Sequence, residues 1–372
     1  MRVLNIPDAH LGARRYGKNK RWDTIVYDAA FNTFSSIISQ AIDPFGVDAI
    51  TVSGDMLDKI SVDDAGWMRL LTEVERLRKA GIQLVILGGN HDSVKSYDRV
   101  GGVDALNALS NVTVINGFIP EVVTVGNVPN SYFQVGGIPH CKSQNEFQRF
   151  VNEWNTKVNI LLLHASVGDY SQSTRMGPNN LWLTVDQLAR LKAYADFIVV
   201  GHEHSQRDIL ENVWQVGATM PFAFSELGTK WLVLMDTITK GAEKYAITQS
   251  LTWTDLEFEF SSRDDLAVRL AGRPQSVTDV VRMNVFNVPA EHYGLSKLMC
   301  NMAQNATPGV FLCDLHRVGD LEVKDISNES VKFDLTVELE EHCKKTKASQ
   351  EDTDALKTYI EDAINQYVNE ED

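Results

Sequence analysis

The sequence predicts an α/β protein with a smaller unit towards its C-terminus. Over the first 250 residues, short β-branched runs alternate with amphipathic stretches, which is the pattern of alternating strands and helices. Polar motifs that contain histidine follow several of the apolar runs directly. The 372 residues are 44% hydrophobic and 23% charged, a composition that is typical of a globular protein and excludes fibrous and disordered classes.

Hydrophobic spacing predicts the individual elements of the first half. Apolar runs indicate strands at 3–6, 49–52, 84–87, 112–115, 159–163 and 197–200. Residues 25–42 and 67–80 have apolar side chains at helical spacing, and Gly81 is placed to end the second helix. Shorter runs at 213–216, 231–235 and 245–247 favour antiparallel strands, and therefore two packed sheets.

Breaker residues between 256 and 277 predict a domain boundary. We therefore expect a first domain over 1–256 and a small unit over 277–340, with strands at 280–285, 310–315 and 331–339 and a helix at 291–304. The acidic tail, 341–372, has apolar residues at helical spacing between 349 and 367.

The composition also bounds the location of the protein. No run approaches the roughly 18 apolar residues of a membrane span, and the first residues reach Asp8 too early for a signal peptide. We expect a soluble cytoplasmic protein. The four cysteines form no C-x-x-C pair, which predicts free structural thiols rather than a disulfide framework or a thiolate zinc site.

The net charge of −15 argues at first against nucleic-acid binding, which depends on Lys and Arg. The acidic residues are concentrated after residue 250, however, and one basic cluster lies near the N-terminus: Arg14, Arg15, Lys18, Lys20 and Arg21. Such a cluster can hold phosphates without reading sequence. A solvated loop with chance charge is the alternative.

Five polar motifs occur where an α/β sheet delivers side chains to a site. They are Asp8-Ala9-His10, Gly54-Asp55-Met56-Leu57-Asp58, Gly89-Asn90-His91-Asp92, His164, and Gly201-His202-Glu203-His204. Each alone has a structural explanation, because Asp and Asn cap helices, Gly-Asp forms turns, and a lone histidine is usually a core residue. Together they predict a metal centre, since imidazole, carboxylate and carboxamide groups suit Mn²⁺, Fe or Zn²⁺.

The order and spacing of these motifs resemble the signature of the calcineurin-like metallophosphoesterases. The resemblance implies a four-layer αββα sandwich with a small C-terminal α/β capping domain. It also implies two divalent ions, expected to be Mn²⁺, with Mg²⁺, Fe or Zn²⁺ as alternatives. It assigns one ion to Asp8, His10, Asp55 and His204. It assigns the other to Asp55, Asn90, His164 and His202, so that Asp55 bridges the two.

His91 is the histidine of the third motif that the ligand sets leave over, and in the family it faces the substrate. As an imidazolium it can protonate the leaving oxygen of a phosphoester. We expect Asp58 to orient it. Ordinary turn or cap chemistry is the alternative explanation for Asp58 and for Asp92.

The residues around the motifs are similar to the SbcD-type DNA repair nucleases. Asp8-Ala9-His10-Leu11-Gly12, with the basic segment that follows, resembles their opening, and residues 217–226 loosely resemble their G-S-P-x-R-T-S-F-G-E segment. This chain departs from that segment, because Ala218 replaces the serine and the arginine is absent. Phosphoprotein phosphatases are disfavoured, because Lys59 stands where their G-D-x-x-D-R-G motif has arginine.

This resemblance implies a Mn²⁺-dependent DNA exonuclease and endonuclease that acts on DNA ends as a subunit of an SbcCD-like complex. It implies an SMC-like ATPase partner, a homodimer, association with the nucleoid, a DNA-binding cap, and a docking role for 341–372. A surface helix packed on its own domain is the alternative for that tail. A small-molecule or cyclic-nucleotide phosphodiesterase and a non-catalytic scaffold stay open as alternative functions.

Overall fold

The protein is described here from a computed structural model. The described residues are 1–16, 19–93, 101–117, 119–128, 131–168, 181–272 and 276–318. The strand predicted at 331–339 and the helix predicted at 349–367 lie outside them.

The described chain contains strands and helices in the order that the sequence predicts, with additional elements between them. The strands are β1 (Arg2–Ile6), β2 (Ala49–Val52), β3 (Gln83–Leu87), β4 (Val112–Ile115), β5 (Glu121–Val128), β6 (Ser131–Ile138), β7 (Val158–His164), β8 (Ser166–Val167), β9 (Trp182–Leu183), β10 (Ala195–Gly201), β11 (Arg207–Leu210), β12 (Val213–Gln215), β13 (Trp231–Asp236), β14 (Ala242–Ala246), β15 (Thr252–Glu259), β16 (Asp279–Val288) and β17 (Val310–Arg317). The helices are α1 (Lys20–Ile42), α2 (Asp64–Lys79), α3 (Gln144–Glu153), α4 (Val185–Leu191), α5 (Arg263–Ala271) and α6 (Ala290–Ala306).

Two six-stranded sheets form the centre of the molecule. Their strand orders are β14-β13-β1-β2-β3-β4 and β11-β12-β10-β7-β6-β5. Strands β1 to β4 run parallel, as do β6, β7, β10 and β12, whereas β13 and β14 are antiparallel to their neighbours. The predicted antiparallel pairing is confirmed for β13 and β14, but β12, at the predicted run 213–216, is antiparallel only to β11 and runs parallel to β10.

The two sheets face each other, and helices cover both outer faces. Val85 and Ile115 of one sheet pack against Phe133 and Leu162 of the other in a shared apolar layer. Helices α1 and α2 bury apolar side chains on the outer face of the first sheet, and α3 and α4 do so on the second. This is the predicted αββα sandwich. Strands buried on both faces are near-continuous apolar runs, which is why the sequence showed them clearly.

Local sequence explains where the first helices begin and end. The Asn19 side chain accepts hydrogen bonds from the backbone N–H groups of Arg21 and Trp22, and Asp63 accepts one from Gly66. Gly81, with φ of 74°, follows α2 in the left-handed conformation that glycine adopts readily at a helix end.

A separate three-stranded parallel sheet, β15-β16-β17, lies in the C-terminal part of the described chain. Helices α5 and α6 pack on one face of it, and we call the sheet with its two helices the cap. The strands predicted at 280–285 and 310–315 and the helix at 291–304 are confirmed. Strand β15 pairs with β16 along its whole length, so the sheet begins at Thr252, within the predicted first domain.

Two cysteines of the cap are joined, against the expectation of free thiols. Cys300 of α6 and Cys313 of β17 form a disulfide in the cap core, with their Cα atoms 5.7 Å apart. Sequence spacing did not reveal the pair, because it depends on which face of the helix meets the strand.

Among the described helices, none has both the length and the hydropathy needed to cross a bilayer.

Candidate metal centre

The five polar motifs meet at one edge of the sandwich. Asp8, Asp55 and Asn90 follow the carboxyl ends of β1, β2 and β3 of the first sheet. His164 ends β7, and His202 follows β10, in the second sheet. Because the carboxyl ends of parallel strands share an edge, two stacked sheets bring all five loops together.

The loops hold their polar side chains in unusual backbone conformations. His10, Asp55 and His202 have φ values of 43°, 47° and 96°. Residues other than glycine seldom adopt such positive values. Such conformations cluster at functional sites, where the surrounding structure enforces them. Gly54 has a φ of 108° and allows close approach, because a Cβ atom there would collide with the His164 ring.

The candidate ligands form two adjoining clusters. In the first, which contains Asp8, His10 and His204, the Nε2 atoms of His10 and His204 are 2.9 Å apart. In the second, which contains Asp55, His164 and His202, the Asn90 Oδ1 atom is 2.9 Å from His164 Nε2 and 2.9 Å from His202 Nδ1.

Asp55 lies between the two clusters. Its Oδ2 atom is 3.3 Å from His164 Nε2 and 3.7 Å from His10 Nε2. The structure thus brings together all seven predicted ligands and puts Asp55 in the middle, where the family resemblance expects a bridging carboxylate. The roles of the seven as ligands stay a prediction.

Burial and close charges shift the proton affinities of these side chains in opposite directions. Burial raises the pKa of Asp8 to about 7. Burial lowers the pKa of His202 to about 3, helped by the neighbouring His164. Burial would lower the pKa of His164 as well, but the Asp55 carboxylate outweighs it and raises that pKa to about 10. Pairs of groups driven apart in this way are a mark of functional sites.

The buried polar atoms fit a cation. Within the described residues, no hydrogen-bond donor reaches the buried Asp8 Oδ1 atom. A buried carboxylate oxygen without a partner is costly, and a metal ion removes that cost. The His10 and His204 Nε2 atoms face each other at hydrogen-bond distance, although a neutral imidazole that donates from Nδ1 has only an acceptor to offer there. Mixed nitrogen and oxygen donors suit Mn²⁺, Fe or Zn²⁺.

Further contacts fix the orientation of two candidate ligands. The Glu226 Oε1 atom is 2.8 Å from Nδ1 of His204, and the backbone carbonyl of Ser53 accepts from Nδ1 of His164 at 2.9 Å. Metal-bound histidines are commonly held through their second ring nitrogen in this way. Sequence reasoning gave Glu226 no role, although it is the final glutamate of the segment 217–226 that resembles the nucleases.

Asp92 joins two of the loops. Its fully buried carboxylate accepts hydrogen bonds from the backbone N–H groups of Met56 and Gly89, both at 2.7 Å. This ties the loop after β2 to the loop after β3. The contact corresponds to the structural alternative weighed for Asp92.

His91 lies at the exposed rim of the two clusters. Its ring stands edge-on to His10, with the ring centroids 4.8 Å apart, and its Nδ1 atom donates to the backbone carbonyl of Asp58 at 2.7 Å. Asp58 therefore contacts His91 through its backbone. The Asp58 carboxylate instead faces His10 Nδ1 at 3.4 Å and Arg15 at 3.0 Å.

The basic cluster is largely engaged within the protein. Arg14 pairs with Asp63 at 2.9 Å, Arg15 pairs with Asp58, and Arg21 donates to the backbone carbonyl of Thr307 in the cap. Lys20 is exposed at the start of α1, and Lys18 lies outside the described residues.

Comparison with known proteins agrees with this geometry. Residues 1–206 match the family model of the calcineurin-like phosphoesterases. The chain belongs to this family. The predicted resemblance is therefore confirmed at the family level, and the αββα architecture is the calcineurin-like fold.

Curated relatives of this calcineurin-like phosphoesterase include proteins named as nucleases. It is 28% identical over 211 residues to the DNA double-strand break repair protein Mre11 of Sulfolobus acidocaldarius, which covers 56% of this chain and 50% of that protein. It is 26% identical over 282 residues to the SbcD component of the SbcCD nuclease of Escherichia coli, covering 65% of this chain and 66% of that protein. It is 23% identical over 270 residues to the uncharacterized metallophosphoesterase YhaO of Bacillus subtilis, covering 71% of this chain and 60% of that protein. The match thus spans about half to two thirds of the length of these relatives.

Proposed function

We propose that this phosphoesterase is a two-metal, Mn²⁺-dependent DNA exonuclease and endonuclease, the nuclease subunit of an SbcCD-like complex that processes DNA ends. The observation that carries the proposal is the meeting of seven nitrogen and oxygen donors in two adjoining clusters, with an exposed histidine beside them. Similarity to proteins named for DNA double-strand break repair and for the SbcCD nuclease supports DNA as the substrate.

Each side chain of the site has a distinct part in the proposed hydrolysis. Asp8, His10 and His204 would hold one ion, His164, His202 and Asn90 the other, and Asp55 both. When bound, two such metal ions supply an activated water and neutralise the charge on the phosphate. His91 donates a proton from Nε2 to the leaving oxygen, because its Nδ1 atom is engaged with the Asp58 carbonyl.

The wider assembly is part of the same proposal. The protein would act in the cytoplasm at the nucleoid, as a homodimer, with an SMC-like ATPase, and with residues 341–372 as a docking element. The cap would contact DNA, but exposed carboxylates of Glu257, Glu259 and Asp314 share the sheet face opposite α5 and α6. We therefore expect the cap to present another surface to the phosphates.

A small phosphodiester is the second candidate substrate. The net charge of −15 disfavours a long polyanion, and Arg14, Arg15 and Arg21 of the basic cluster already have partners within the protein. A cyclic nucleotide or another small phosphodiester needs far fewer phosphate contacts.

Digestion of end-labelled linear duplex DNA with Mn²⁺ and no nucleotide tests the proposal. We expect degradation by the wild-type protein and none by Asp55→Ala, with bis-p-nitrophenyl phosphate as a parallel substrate. Cleavage of bis-p-nitrophenyl phosphate without digestion of DNA, even with the ATPase partner present, would favour the small phosphodiester. Metal-loaded protein that cleaves neither substrate would overturn the hydrolase assignment.

A further inference from the structure

Residues 222–226 lie between the metal-site histidines and the cap. On the metal side, Glu226 holds the His204 ring, and the Phe222 ring lies edge-on to His10 with centroids 5.3 Å apart. The Phe222 ring also contacts His204, at a centroid distance of 5.9 Å. This segment therefore contacts two candidate ligands of the same cluster.

Two residues further along, the same segment is held by the cap. The Phe224 ring packs edge-on against Trp253 of β15, with centroids 5.0 Å apart. The Arg282 guanidinium of β16 lies over the Phe224 ring, 4.6 Å from its centre, and forms a cation–π contact. Arg282 is fixed there by Asp255, whose Oδ1 atom accepts from Nε at 2.9 Å.

The two ends of the segment are mechanically linked. Phe224 and Glu226 belong to one 3-10 turn, and Glu226 Oε2 accepts a hydrogen bond from the backbone N–H of Phe222 at 2.8 Å. Because this turn is so short, a displacement of Phe224 also moves the Glu226 carboxylate. Within the described residues, that carboxylate is the only partner of His204 Nδ1.

We propose that Phe224 and Arg282 are positioning residues, which set the His204 imidazole through Glu226 and so couple the cap to the metal centre. The inference rests on the proposed function, because it concerns the same metal centre. Because the coupling of binding free energies is reciprocal, metal binding then also stabilises the packing of Phe224 against the cap.

The cap offers a closely matched control. Arg269 of α5 pairs with Asp265 and lies 4.1 Å from the centre of the Phe258 ring, just as Arg282 pairs with Asp255 and lies over Phe224. The two arginine side chains are 34% and 33% exposed. Arg269→Ala and Arg282→Ala thus remove similar contacts, but only the second lies on the route to His204.

The test is calorimetric titration of the metal-free full chain with Mn²⁺. We expect Arg282→Ala and Phe224→Ala to weaken one binding step about fivefold, the same step that Glu226→Gln weakens, whereas Arg269→Ala leaves it unchanged. Adding Arg282→Ala to Glu226→Gln should cause little further loss, because both act on one contact. Far-ultraviolet circular dichroism of each metal-free variant confirms that it is folded.

Three results would count against the inference. Arg282→Ala with wild-type Mn²⁺ affinity would overturn it and leave the proposed function intact. Equal weakening by Arg269→Ala, or full additivity of Arg282→Ala with Glu226→Gln, would mean that the cap acts only on general stability and would overturn it as well. Wild-type protein that binds no Mn²⁺ would overturn the proposed function and the inference together.

Discussion

The metal-site loops and the cap sheet differ in whether their charged side chains have partners within the protein. In the loops, buried carboxylates and imidazoles face one another, and Asp8 Oδ1 has no donor within the described residues. On the cap sheet, Asp255 is paired with Arg282, and Glu259 accepts a hydrogen bond from Asn287 at 2.8 Å. Asp255 and Glu259 of the cap thus have partners within the protein, whereas Asp8 Oδ1 requires a partner that the described residues do not supply. Polar groups that violate the usual rule of internal partners are expected at functional sites.

Asp55 lies between the two clusters, so its removal should have the largest effect on activity. Asp55→Ala should lower the hydrolysis of bis-p-nitrophenyl phosphate on the order of 10,000-fold or more, because both ions lose a ligand. The rate is measured with saturating Mn²⁺. Asp28→Ala, at a surface carboxylate paired with Arg69, is the control and should be neutral. Retention of a tenth of the activity by Asp55→Ala would contradict its bridging position.

His91 separates proton transfer from metal binding. His91→Asn should lower turnover about 100- to 1,000-fold, as expected for the loss of a general acid, while Mn²⁺ affinity stays the same. Turnover and calorimetric titration are measured on the same preparation. His91 also lies near His10 and Asp55, within one possible ligand group. A large loss of Mn²⁺ affinity would show that His91 is a ligand instead, and full activity would remove it from the mechanism.

Glu226 tests whether the contacts behind the ligands matter. Glu226→Gln should weaken Mn²⁺ binding about 10- to 100-fold, because a carboxylate that holds a ligating histidine is replaced by a neutral amide. The change is nearly isosteric, so the fold should be kept. Glu243→Gln, at an exposed site on β14, is the control. Unchanged metal affinity would mean that the contact with His204 is incidental.

Lys20 and Arg14 of the basic cluster differ in their contacts within the protein. Lys20 is exposed, whereas Arg14 is paired with Asp63 and lies over the Tyr27 ring. If DNA binds beside α1, Lys20→Ala should reduce the slope of log affinity against log salt by about 0.9, and Arg14→Ala should leave it unchanged. Fluorescence anisotropy of labelled duplex at several salt concentrations measures both slopes. A larger change for Arg14→Ala would show that its ion pair opens to bind phosphate.

Sequence reasoning predicted the strands that position the site, for a physical reason. Strands β2 and β7 are buried on both faces and therefore stand out as apolar runs, and a predicted ligand lies just beyond β2 and at the end of β7. The αββα class and the convergence of His10 with His204, which are 194 residues apart, followed from the family resemblance rather than from spacing alone.

Contacts between distant loops could not be predicted from the sequence. Glu226 reaches His204 across 22 residues of chain, with two strands between them, and no periodicity marks such a contact. Asp58 contacts His91 through its backbone carbonyl, whereas its carboxylate pairs with Arg15, and the sequence alone cannot distinguish these two contacts. The hairpin of β5 and β6 was not predicted, because its strands are partly exposed and carry glycines.

The number of Mn²⁺ ions bound per chain decides whether the two side-chain clusters form a two-metal centre. Equilibrium dialysis of the metal-free protein, with elemental analysis, should give two ions for the wild-type chain and fewer for Asp55→Ala. Two ions would support the assignment of the seven predicted ligands to a two-metal centre. A wild-type chain that binds none, or that binds the same number after Asp55→Ala, would contradict it.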